Sequence, residues 1–211
     1  MGLVMCRNRK RRDGFFAGRN GCPRILFFLI GWIIVNGCFP AGTLAIDPAT
    51  SDALRVQHLL KTIAAYEKDP GEKAVRKATV TEKELNAYIA YRLAREKDPV
   101  IRNLTVSLLD NNRIRGNIRL DASGFSLLAL LGSDLVFDFD GVLHTRDGGG
   151  RIELTSLYLN GQAVPPQTLD AVLVVVAQYY GEAPGSINDW YALPEGIDRI
   201  VVSRGGALLY Y

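Results

Sequence analysis

The spacing of apolar residues along this chain changes period twice. After Asp47-Pro48, apolar positions at Val56, Leu59, Leu60, Ile63 and Ala64 recur at helical spacing. The Asp-Pro pair supplies a capping side chain, then a residue whose φ is preset for a first turn. Lys68-Asp69-Pro70-Gly71 stops that helix. Thr81-Glu82-Lys83-Glu84 spells a capping box, with Leu85, Tyr88, Ile89 and Leu93 following on one face and Asp98-Pro99 as the expected end.

From Leu104 onward the period is two. Leu104, Val106 and Leu108 alternate with polar residues, Asn111-Asn112 tolerate the positive φ of a tight turn, and Ile114, Ile118 and Leu120 return. That pattern predicts a hairpin with one wet face. An apolar stretch from Phe125 to Leu131 leads to a strand carrying Leu135, Phe137, Phe139 and Leu143. Asp147-Gly148-Gly149-Gly150 then turns into Ile152 and Leu154, after which the apolar phase slips by one to Leu157 and Leu159. The slip predicts a bulge near Thr155-Ser156, and bulges bend sheets. Asn160-Gly161 marks another turn. Pro165-Pro166 opens a third helix with Leu169, Val172, Leu173, Val176 and Tyr180 on one stripe and Val174 and Val175 on the other side. Such a helix is buried between layers or faces something greasy. Ile200, Val202, a Gly205-Gly206 turn, Leu208 and Tyr210 predict a closing hairpin. The expected fold is α+β, a curved antiparallel β-sheet packed on two or three helices, as one domain over residues 46–211.

The first 45 residues fit an N-terminal signal segment outside that fold. Seven Lys and Arg between Arg7 and Arg24 form a basic n-region (1–24), an apolar h-region (25–37) follows, and Thr43-Leu44-Ala45 is a small-residue exit with cleavage after Ala45. The apolar block Ile25 to Val35 is shorter than the roughly 20 residues a membrane span needs. Export to the periplasm or cell envelope is the expected location. Val35-Asn36-Gly37-Cys38 offers a second exit, with lipidation of Cys38 or retention of the segment anchoring the chain. All three cysteines lie in this segment, so the remainder needs no disulfide and carries no thiol. Its removal leaves 18 basic against 21 acidic residues, turning a net charge of +3 into −3. Nucleic acid, bound chiefly through phosphate neutralisation, is thereby an unlikely partner.

One string points to catalysis. Val136-Phe137-Asp138-Phe139-Asp140-Gly141-Val142-Leu143 resembles the first motif of the haloacid-dehalogenase phosphatases. In that family the carboxylate matching Asp138 attacks phosphorus, the one matching Asp140 moves the proton, and both hold magnesium. The surroundings oppose this role: a Gly-rich turn and an alternating strand follow, no Lys occurs after Lys97, and buried parallel strands are apolar on both faces. Asp138 and Asp140 then read as the wet face of an amphipathic strand. His58 and His144 lack ligand-spaced partners, Glu82, Glu84 and Glu96 suit a helix cap and a solvated face, and no cofactor loop is present. No catalytic residue, metal site or cofactor is assigned. The tyrosines, Tyr88 and Tyr191 among them, suit either core or cavity wall.

The order of a "VTEKELNAYIAYRL" helix, alternating strands, "LNGQAVPPQTLDAV" opening a further helix, and "LPEGIDRIVV" before a closing hairpin resembles small exported bacterial proteins of the tubular-lipid-binding-like (TULIP-like) superfamily. The resemblance covers roughly residues 78 to 211. It implies a helix lying in a strongly curved sheet with lipid tails held between them and no catalytic motif. The groove would be lined by Leu85, Tyr88, Ile89 and Leu93 of the helix, by Leu104, Val106, Leu135, Phe137 and Phe139 of the sheet, and by Val172 and Val176. The expected function is a non-enzymatic envelope protein that binds or shuttles an acyl-chain lipid or another apolar small molecule, with membrane-surface contact. The alternatives are a structural or adaptor module of an envelope assembly and, more weakly, a phosphatase acting through Asp138 and Asp140.

Overall fold

A computed structural model describes residues 48–67, 75–96, 100–125, 132–179 and 185–211. The signal segment with Cys38 and Ala45 lies outside these residues, as do the two stops at 68–71 and 98–99, the stretch 126–131 and Tyr180. In chain order the elements are α1 (Pro48–Glu67), β1 (Lys77–Thr81), α2 (Glu82–Leu93), β2 (Ile101–Leu108), β3 (Arg113–Asp121), β4 (Asp134–Arg146) and β5 (Gly149–Leu159). They continue with β6 (Gln162–Ala163), α3 (Gln167–Tyr179), β7 (Tyr191–Ala192), β8 (Arg199–Ser203) and β9 (Gly206–Tyr210). The class is α+β, with three helices against a strongly curled antiparallel sheet in the shape of a half-barrel.

Strands β2 to β6 run in sequence order as a meander, and β7 adds to the far end of β5. The turns are where the sequence puts them. Asn111, Asn112, Asp147 and Asn160 all have positive φ, a conformation that short polar side chains tolerate and β-branched ones resist. The bulge is also in place: Asp140 pairs with Ser156 and Gly141 with Leu154, leaving Thr155 unpaired. That extra residue bends β5 and moves its buried set from Ile152 to Leu157.

Three expectations need correction. The closing hairpin does not join the curved sheet, because β8 and β9 form a separate three-stranded sheet with β1. The apolar pattern does not predict β1: Val80 is buried, but five residues with only Ala78 and Val80 as an apolar set give a weak period. In the closing hairpin the core takes Ala207 and Leu209 rather than Leu208 and Tyr210, since Ala207 pairs with Val202 and Leu209 with Ile200. A one-residue phase shift exchanges the two faces of a strand. Last, α2 ends at Leu93, short of Asp98-Pro99.

Polar side chains join the two sheets where no strand pairs. β2 is an edge of the larger sheet, and α2 lies along it. Asn86 Nδ2 donates to the Val106 carbonyl at 2.8 Å, Asn86 Oδ1 accepts from the Val106 N–H at 2.8 Å, and Glu82 Oε2 accepts from Leu108 N–H at 2.7 Å. These groups supply what a further strand would otherwise provide. β8, an edge of the smaller sheet, is treated the same way. Asn112 Oδ1 accepts from Val202 N–H at 2.7 Å, and Thr145 Oγ1 donates to the Ile200 carbonyl at 2.9 Å. α1 packs on α2 through Ala53 and Val56 and through the Arg55–Glu84 and Lys83–Asp52 ion pairs.

Candidate functional site

The concave faces of both sheets and the apolar stripes of the helices meet in one core. Along β3 the inward set is Ile114, Gly116, Ile118 and Leu120, and along β4 it is Leu135, Phe137, Phe139 and Leu143. Alternation fixes these faces once the hairpins set the register. On α2 the inward residues are Tyr88 and Ile89, with Leu85 half-buried beside them.

Beneath α2 this core is not filled. A cavity of about 150 Å³ remains between α2, the two concave faces and α1. Among the described residues that line it, Tyr88 is the only one with a polar side-chain atom; the others are apolar. Burial pushes the Tyr88 phenol up to about 12, with the Arg92 guanidinium pulling more weakly the other way. The hydroxyl is therefore neutral across the physiological range. It is a hydrogen-bonding handle and not a charge.

Of the eleven residues expected to line a groove, Leu85, Tyr88, Ile89, Leu104, Val106 and Phe139 surround the cavity. The others do not. Leu135, Phe137, Val172 and Val176 are buried elsewhere in the core, and Leu93 packs half-buried against it. Alternation identifies the inward face of a strand but not how far along the strand packing ends and space begins. Part of the wall carries no periodic signal: Val80 on β1, and Ile187, Pro194 and Ile197 on irregular segments. Their only signal is an isolated apolar residue amid polar neighbours.

Ile187 is held by a side-chain clasp. Asp170, in the first turn of α3, accepts from Ile187 N–H at 2.8 Å and from Ser186 Oγ at 3.1 Å. The Tyr191 hydroxyl donates to the Ser186 carbonyl. The segment closing that side of the cavity is thus tied to the helix beside it.

Asp138 and Asp140 point away from the cavity, on the outer face of a β4 that is antiparallel to both neighbours. Asn117 Nδ2 donates to Asp138 at 2.7 Å, and Arg115 Nε donates to Asp140 at 3.0 Å. Both partners are their cross-strand neighbours in register. Arg113 adds a contact to Asp140 and Arg119 pairs with Asp134, so the outer face is a ladder of neutralised charge. His144 Nε2 lies 3.0 Å from Glu153, and His58 is on the exposed face of α1. Among the described residues no group of three or more His, Cys, Asp or Glu is placed to hold a metal ion. Among them, too, no helix is long and apolar enough to cross a membrane.

Compared with protein-family models, with curated proteins and with solved structures, the chain matches none.

Proposed function

We propose that this protein binds a single acyl chain, or an apolar segment of similar width, in the cavity beneath α2, and that it does so in the cell envelope. The observation that carries the reading is the void itself. At about 24 cal/mol per Å³, an empty space of this size costs about 4 kcal/mol. That is a large fraction of the 5–15 kcal/mol by which domains are stable. A core with no use for the space gains by filling it, for example with a larger residue at Val80 or Ala207, both on the wall.

The size limits the cargo. A cavity near 150 Å³ with an apolar wall stays dry and admits a benzene-sized molecule, whereas pockets for larger ligands run to 300–1,000 Å³. A short alkyl segment fits this scale, and a full-length acyl chain or a two-tailed lipid does not unless α2 moves away from the sheet. The export signature and the TULIP-like element order support the same reading. The small volume also favours a second reading, a structural module of an envelope assembly whose core simply retains a gap.

Uptake of a fluorescent single-chain fatty acid by purified protein separates the two. Saturable binding that competes with unlabelled single-chain lipid supports the cargo reading, and its absence with an intact fold supports the structural one.

A further inference from the structure

Among the described arginines some face carboxylates and others face aromatic rings; Arg151 does both, 3.8 Å from Glu153 and 5.3 Å from the Trp190 ring, and Arg95 lies 3.5 Å from the Tyr91 ring. Arg55, Arg102, Arg113, Arg115, Arg119 and Arg204 each face an Asp or Glu. At the end of the molecule that carries the β4–β5 turn, the cations face aromatic rings instead. Arg146 lies 4.3 Å from the Trp190 ring, Arg199 lies 4.2 Å from the Tyr210 ring with Lys77 at 5.1 Å, and Arg76 lies 4.1 Å from the Tyr66 ring. Among the described residues none of these four cations forms an ion pair.

Backbone hydrogen bonds make the three nests neighbours. Arg76 N–H donates to the Tyr211 carbonyl, Asp198 N–H to the Tyr210 carbonyl, Gly148 N–H to the Asp198 carbonyl, and Leu193 N–H to the Gly148 carbonyl. Of the five large apolar residues most exposed on the described surface, three belong here: Tyr66 at 46%, Val75 at 73% and Trp190 at 39%. The same end borders the cavity, since Pro194 and Ile197, between Trp190 and Arg199, line its wall.

We infer that this belt docks the protein on an anionic lipid bilayer, with Trp190, Tyr66 and Val75 in the headgroup layer and Arg76, Lys77, Arg146 and Arg199 against lipid phosphates. Amphipathic rings and snorkelling cations suit that boundary. Carboxylates already neutralise the arginines of the outer sheet face, so that face lacks the attraction. The belt carries little net charge, because Asp147 and Asp198 lie among the four cations and Asp189 and Glu195 are nearby. The rings and Val75 must therefore share the work, and a purely electrostatic partner such as nucleic acid fits less well. The inference deepens the lipid-cargo reading and rests on it for its purpose, because docking would bring the cavity to the source of its ligand.

Co-sedimentation of the full chain with phosphatidylcholine vesicles, with and without one-third phosphatidylglycerol, tests it. R146Q/R199Q should weaken binding to the anionic vesicles by up to about thirtyfold, from the loss of two surface cations, and W190S should weaken it further. R115Q/R119Q removes the same charge from the outer sheet face and should change binding less than about twofold. In a Trp32→Phe background Trp190 is the only indole, and its emission should shift to the blue on anionic vesicles. Because residues 1–47 are present in every variant, the differences report the belt. Equal loss in both double variants, binding indifferent to phosphatidylglycerol, or an unshifted Trp190 would overturn the inference. Fatty-acid uptake measured without vesicles is the separate control: its failure removes the cargo reading, whereas its survival beside failed docking removes only the belt.

Discussion

The ring of Phe139 lies across Gly116, its cross-strand partner, so closely that a Cβ on Gly116 would fall 2.3 Å from two of the ring carbons. The glycine leaves a gap in the inward row of β3, and the aromatic ring from β4 fills it. Phe139 also stands on the cavity wall, so this contact sets one boundary of the empty space.

Gly116→Ala should therefore force the ring off its site and cost about 1–3 kcal/mol through overpacking. Denaturant unfolding checks this. Combining it with Phe139→Leu should recover part of the loss, because two residues in contact do not contribute additively.

Asn86→Leu should destabilise the protein by about 1–3 kcal/mol for each backbone group of Val106 left buried and unpaired. Amide exchange gives the sharper readout. Protection at Val106 should fall well before that of the central strand β4, and an exposed β2 edge should promote self-association.

Acid should loosen the α1–α2 contact. The Arg55 guanidinium, followed by donors from Thr81, holds the Glu84 carboxyl down to about 2, from an ordinary value of 4.5, against the opposing effect of burial. A lowered folded-state value stabilises the fold above pH 4.5, and the contribution disappears as pH falls towards 2. Glu84→Gln should flatten the stability profile in that window. The opposite holds at alkaline pH for Tyr88, whose raised value contributes stability that is complete below pH 10 and lost towards 12. Denaturant unfolding across the acid range checks the first sign, and absorbance titration of the phenols in folded and unfolded protein checks the second.

Much of the architecture is legible in the sequence because local chemistry and global fold agree. The capping box at Thr81 forms with both of its hydrogen bonds, the Asn-Asn and Asn-Gly turns adopt the φ that their side chains permit, and the one-residue apolar slip marks the bulge at Thr155. The DxD string also reads correctly as an outer face, since Arg115 and Asn117 stand opposite it. The second sheet was illegible, because β1 owes its strand state to pairing with β9, more than a hundred residues away. Which inward residues line the cavity was illegible too. Phe137 and Phe139 have the same side-chain type and face the same side, and only three-dimensional packing makes the first fully buried core and the second a cavity wall.

Filling the space should separate stability from uptake. Ile118, on the cavity wall of β3, can be replaced by Phe, which adds buried apolar contacts without adding a polar group. Ile118→Phe should raise stability by about 1 kcal/mol if the cavity takes the ring. The same variant should lose ligand binding.

Native mass spectrometry of the full chain after exposure to single-chain fatty acids is the most direct test. One bound chain per protein is expected, displaced by competitors of similar length and absent in Ile118→Phe. A wild-type protein that stays ligand-free at every concentration, while Ile118→Phe is more stable, would show the cavity to be a packing defect and contradict the proposed cargo.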